Sequence, residues 1–145
     1  LPTLLRSHGP LDMVIIMLGT NDLKPFHGRT AMECANGVGR LVQIVRGHAA
    51  GEGATAPQII IVSPPNLGKT THPEMMVHFG EDAAIDDSKR MAEFYKLRAD
   101  LFNTGFFDAS TVAKPDPRDG WHRDGPSTRA IGEGLAPLVK SMLGL

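Results

Sequence analysis

Apolar and polar positions follow two rhythms along this chain. Two stretches are apolar almost without a break, Asp12 to Leu18 (DMVIIML) and Gln58 to Ser63 (QIIIVS). Both are short and rich in β-branched residues, as strands buried on both faces should be. They are expected as central parallel strands. A shorter stretch, Gly105 to Ser110 (GFFDAS), follows a helical pattern that stops at Asn103-Thr104-Gly105, and it predicts a third strand.

Helical spacing fills the intervals. Thr30-Ala-Met-Glu33 has the spacing of a capping box, after which Met32, Ala35, Val38, Val42 and Val45 recur at helical intervals. The pattern predicts a helix from about Thr30 to Arg46, weakened by Gly37 and Gly39. From Asp86 onward, Met91, Phe94, Tyr95, Leu101 and Phe102 form an apolar stripe with charged residues between them. A last helix carries Ile131, Leu135, Leu138, Val139 and Met142 on one face. It starts at Asp124-Gly-Pro-Ser127, where Pro126 suits a first turn, and Pro137 should kink or break it.

Strand, helix, strand, helix, strand, helix is the order of an open α/β sheet, and each crossover is long enough to join parallel neighbours. Ligands of such sheets bind beyond the carboxyl ends of the strands. That rule selects Gly19-Thr-Asn-Asp22, Ser63-Pro64-Pro65, and the loop after Asp108 that leads to Asp119-Gly-Trp-His122.

Composition narrows the function classes. With 145 residues and 41% hydrophobic content, one domain is expected. A net charge of -1 and scattered basic residues offer no stripe for phosphates, so nucleic acid is not an expected partner. The single cysteine, Cys34, has no internal disulfide partner and fits a small core residue. The apolar run Met13 to Leu18 is far too short to span a bilayer, so no membrane partner and a cytoplasmic location are expected. The chain starts at Leu1, without a signal-peptide pattern, and a true N-terminus upstream is expected.

Three candidates carry chemistry. In Gly19-Thr20-Asn21-Asp22 the glycine permits a sharp turn, and the Asn21 amide could donate to an oxyanion; an Asx-turn that ends the strand explains the same residues. In Asp119-Gly-Trp-His122 the carboxylate could fix one ring nitrogen of the histidine and leave the other to take a proton; a solvated polar turn is the alternative. His72 and His78 lie in the long loop after the second strand, with no second ligand pair or cysteine cluster, so no metal is expected.

Together, VIIMLGTND at a strand end and DGWH before the last helix resemble the SGNH, or GDSL-type, hydrolase family. The likeness runs through HGPLDMVIIMLGTND, IIIVSPP, FFDAS and LAPLV, and is greatest to the bacterial arylesterase and acyltransferase branch. It implies a flavodoxin-like three-layer α/β/α parallel sheet and a serine esterase that needs no cofactor. Carried over by residue, Asn21 becomes an oxyanion donor, His122 the general base and Asp119 its orienter. Gly19, Thr20, Pro64 and Trp121 become candidates for substrate binding. Short-chain aryl or alkyl esters are the implied small-molecule substrates, with acyl transfer to alcohols or perhydrolysis as further options and a homo-oligomer left open. A carbohydrate or lipid deacetylase of the same family is an alternative, and a non-catalytic remnant or interaction module is the rival of another class.

The chain departs from the family pattern in having no Gly-Asp-Ser block. It is expected to be the C-terminal part of one such domain, holding strands 3, 4 and 5 of the order 2-1-3-4-5, with strand 3 as a long, flat, unpaired edge. Ser63 sits at the right strand end, but Pro64-Pro65 follows it in place of a helix, so it is not expected to act as nucleophile. Ser7, Ser88, Ser110, Ser127 and Ser141 are expected as caps or surface residues. The loop from Pro64 to about Asp82, with Met75, Met76, Val77 and Phe79, is long enough for a lid or binding surface, and the resemblance implies that it walls the pocket.

Overall fold

A strand that is apolar at every position has no face to give to water, so it needs a layer on each side. The computed structural model of the chain supplies both layers. It describes residues 1–51, 53, 55–79 and 82–145. Strands β1 (Met13–Ile16), β2 (Gln58–Ser63) and β3 (Gly105–Asp108) form a parallel sheet in the order β1-β2-β3. Its register sets Ile15 beside Ile60 and Val62 beside Phe107. Around it lie α1 (Pro2–His8), α2 (Ala31–Gly51), α3 (Pro73–Phe79), α4 (Asp82–Phe102) and α5 (Gly125–Leu143).

Successive residues of β2 point to opposite layers. Ile59 and Ile61 join the core with Val38, Val42 and Val45 of α2 and Met91 and Tyr95 of α4. Ile60 and Val62 pack with Ile131, Leu135 and Leu138 of α5. The expected α/β/α arrangement is therefore present. No described helix is long and apolar enough to cross a membrane.

The strongest local signals hold. Thr30 and Glu33 form the capping box: the Glu33 carboxylate accepts from the Thr30 amide at 2.9 Å, and the Thr30 hydroxyl accepts from the Glu33 amide at 3.3 Å. Asp124 caps α5 by accepting from the Ser127 amide at 2.8 Å. Other expectations are corrected. Met32 and Leu101 are exposed rather than in the core. Each lies six residues from a core position, Val38 and Tyr95 respectively, which is about 120° around a helix. Helix α5 runs through Pro137 unbroken; Pro137 and Glu133 are both exposed, so the carbonyl that lacks an amide partner meets water. Helix α1, which the pattern did not reveal, buries only Leu5. The long loop after β2 is interrupted by α3.

The expected long edge strand is also shorter than its apolar run. Strand β1 ends at Ile16 because Gly19 turns the chain with a φ of 116° into a 3-10 turn, Thr20–Leu23. Leu23 buries at the end of that turn, which fixes it to the core. The buried Tyr95 donates its hydroxyl to the Leu18 carbonyl at 2.8 Å. A Cβ on Gly19 would stand 2.1 Å from that hydroxyl oxygen, so side chain and turn occupy one tight joint.

Tyr95→Phe is expected to destabilise the fold by about 1 kcal/mol through loss of this bond. Gly19→Ala should cost more, about 2–4 kcal/mol, because it combines strain at positive φ with overlap. Because Tyr95→Phe removes the nearest atom, the double variant should lose less than the sum in urea denaturation, by at least about 0.5 kcal/mol.

Candidate active site

The loop before α5 folds on itself around two carboxylates. Asp116 accepts the amide of Arg118 at 2.9 Å and its Nε at 2.9 and 3.0 Å, with Nη2 completing a fork. Its carbonyl accepts from the amides of Asp119 and Gly120, and its own amide donates to the His122 carbonyl at 2.6 Å. Asp119 then binds three donors: Oδ1 accepts the amides of Trp121 and His122 at 2.8 and 2.9 Å, and Oδ2 lies 2.7 Å from His122 Nδ1.

Electrostatics follow from these contacts. Burial pulls the Asp119 carboxyl upward, but the Trp121 amide, the His122 ring and the His122 amide outweigh it and hold the group below its ordinary value. An ionised carboxylate only accepts, so the ring proton sits on Nδ1 and Nε2 is the basic nitrogen. The Asp116 carboxyl is drawn down to about 2, first by the Arg118 side chain and then by its amide. Asp119 is mostly shielded, whereas the His122 ring is largely exposed.

Both predicted motifs open onto one cleft of about 490 Å³. Gly19, Thr20, Asn21 and Asp22 line one side, and Trp121, His122 and Arg123 line the other. Trp121 has a double position, since it also belongs to the core cluster that contains Leu67. The sequence did not assign His78 and Lys24 to this site, although both line the cleft. His78 comes from α3, so part of the long loop does wall the pocket. The side chains of Met75, Met76 and Phe79 lie outside the described residues.

The remaining candidates are not brought to the cleft. Pro64 is fully buried and does not line it. Ser63 is only 1% exposed, which closes its hydroxyl to substrate. Ser88, expected as a cap or surface residue, is buried and accepts from the Leu67 amide at 2.9 Å. Cys34 is a core residue whose thiol is pushed up to about 12, first by burial and then by Asp22 and Asp87. Among the described residues no group of three or more His, Cys, Asp or Glu is placed to share a metal ion.

No protein-family model matches the chain, and no curated protein matches it either. Solved structures do match. A carbohydrate acetylesterase family member from Sinorhizobium meliloti is 43% identical, with a TM-score of 0.94 over 99% of this chain and 67% of that one. The chain belongs to the SGNH hydrolase family. A second carbohydrate acetylesterase structure from Sinorhizobium meliloti is 38% identical, with a TM-score of 0.91 over 97% of this chain and 66% of that one. The native M. smegmatis aryl esterase is also 38% identical, with a TM-score of 0.90 and the same 97% and 66% coverage. The SGNH chain thus spans about two thirds of the length of these structures.

The depressed Asp116 value sets a pH window. Its folded value of about 2 lies below an unfolded value of about 4, so its stabilisation is present above pH 4 and lost as pH falls toward 2. Thermal unfolding should show a falling Tm across that interval, with a shallower fall for Asp116→Asn.

Proposed function

We propose that this chain supplies the oxyanion donor and the acid–base pair of a serine esterase that cleaves short-chain carboxylic esters. The observation that carries the reading is the cleft lined by both Asn21 and His122, whose ring is hydrogen-bonded to Asp119. In the proposed mechanism His122 Nε2 takes the proton of a serine hydroxyl as that oxygen attacks the ester carbonyl. The Asn21 amide donates to the oxyanion of the tetrahedral intermediate. His122 then protonates the leaving alcohol, and the acyl-enzyme forms. Water, activated by the same nitrogen, releases the acid; an alcohol or peroxide in its place would give transfer or perhydrolysis. Asp119 keeps Nε2 basic and stabilises the imidazolium. Gly19, Thr20 and Trp121 would bound the acyl pocket, and no step calls on a cofactor or metal.

The serine itself is proposed to come from outside these 145 residues, since none of them forms a Gly-Asp-Ser block. The relatives' additional length, about a third of each chain, is where it would reside. Sugar acetates are a second substrate reading, favoured by the two Sinorhizobium meliloti structures described as carbohydrate acetylesterases.

An in-frame Gly-Asp-Ser upstream of Leu1 in the coding DNA is the expected finding; a start codon there would favour a non-catalytic remnant. In the serine-containing protein, Asn21→Ala should lower ester turnover by about 10²–10³, and His122→Ala by about 10²–10⁴. Parent-like turnover of a phenyl acetate by either variant would sink its assignment. The 145-residue chain alone is expected to show no turnover that Ser63→Ala abolishes.

A further inference from the structure

The loop that holds Asp119 and His122 is also tied from outside. The Gly68 amide donates to the Gly120 carbonyl at 2.9 Å. A Cβ on Gly120 would stand 2.5 Å from the Gly68 carbonyl oxygen, and one on Gly68 would stand 2.9 Å from Pro115 Cγ. Gly120 also has a φ of 75°. The two backbones therefore meet with no space for a side chain between them, at the residue immediately after Asp119.

Gly68 is itself placed by its neighbour. Leu67 is buried in the core that includes Trp121, and its amide donates to Ser88 Oγ at 2.9 Å. The Ser88 hydroxyl donates in turn to the Ile85 carbonyl at 2.6 Å. With its proton committed inside α4, the oxygen presents a lone pair to Leu67 in a fixed direction. Serine is a poorer former of helix interior than alanine, and a buried hydroxyl is unfavourable unless bonded. Both of its hydrogen bonds are made here.

We propose that Ser88 is a positioning residue: through Leu67 and Gly68 its hydroxyl anchors Gly120, and with it the Asp119–His122 pair, to helix α4. The inference rests on reading that pair as the acid–base half of the site, but it concerns where the pair is held and not what it does. Its importance follows from the sensitivity of proton transfer to geometry, in which a displacement of about 1 Å costs on the order of 100-fold in rate. Ser88 touches neither substrate nor reacting atoms.

The test uses the full-length protein and NMR, without ester turnover. Ser88→Ala should speed hydrogen exchange at the Gly68, Trp121 and His122 amides by at least about tenfold more than Val42→Ala, a core truncation remote from the tie. It should also move the Asp119 carboxyl titration up toward the ordinary carboxylate range. Ser88→Thr, which keeps the hydroxyl, should restore both. A folded Ser88→Ala chain with parental exchange at these amides and a parental Asp119 titration overturns the proposal. If Ser88→Ala does not fold, the parent decides: Gly68, Trp121 and His122 amides should open as one unit, with protection within about tenfold of one another. Protection differing by more than about 100-fold overturns the tie. Because none of these signals depends on turnover, an inactive serine-containing protein with the tie intact would remove the esterase reading alone.

Discussion

Burial of β2 on both faces is the constraint from which the rest of the structure follows. Ile60, Ile61 and Val62 are wholly inaccessible to solvent, so helices must close over the sheet on each side. Parallel pairing on both edges of β2 then brings the carboxyl ends of all three strands to one margin. The turns that leave that margin are pinned to the core by Leu23, Leu67 and Trp121, and residues of the first and third of them, Asn21 and His122 included, line one cleft. The site is thus a product of strand direction first and of side-chain chemistry second.

Within the site, the two readings of Asp119-Gly-Trp-His122 merge. One carboxylate oxygen closes the turn by accepting two amides, and the other holds the imidazole. A polar turn and an oriented imidazole are the same object here. The division of labour between its oxygens means that the ring is aimed by the backbone conformation itself. Asp116 performs the corresponding task for the loop as a whole, with Arg118 as its partner.

What was legible in the sequence was whatever depends on neighbours along the chain. The β2 boundaries, the capping box at Thr30 and the start of the last helix at Asp124-Gly-Pro-Ser127 are local, and each lies where its pattern implied. The rule that ligands gather at strand ends added one long-range inference, which brought Asn21 and His122 to a common cleft. Contacts between distant segments left no comparable trace. His78 lines the cleft from α3, and Ser88, expected as a cap or surface residue, is buried against the amide of Leu67, 21 residues before it. Pro64 follows the strand that points to the margin, yet it is sealed beneath neighbouring residues. Met32 and Leu101 were assigned to core stripes from lists of apolar positions, but Met32 is two steps of three from Val38 and Leu101 is six residues from Tyr95, and either offset carries the side chain about 120° away from the buried face.

The contact between Gly68 and Gly120 divides the walls of the cleft into two kinds. Up to Gly68 the chain after β2 is fixed by backbone contact to the loop that aims His122. Lys69 still belongs to that joint, since its carbonyl oxygen would stand 3.2 Å from a Cβ on Gly120, and residues 70 to 79, with His78 on α3, extend beyond it. Exchanged side chains in the outer segment can alter the lining of the cleft at His78 while the contact beside Asp119 and His122 stays in place, so the fold separates a fixed part of the cleft from a variable one.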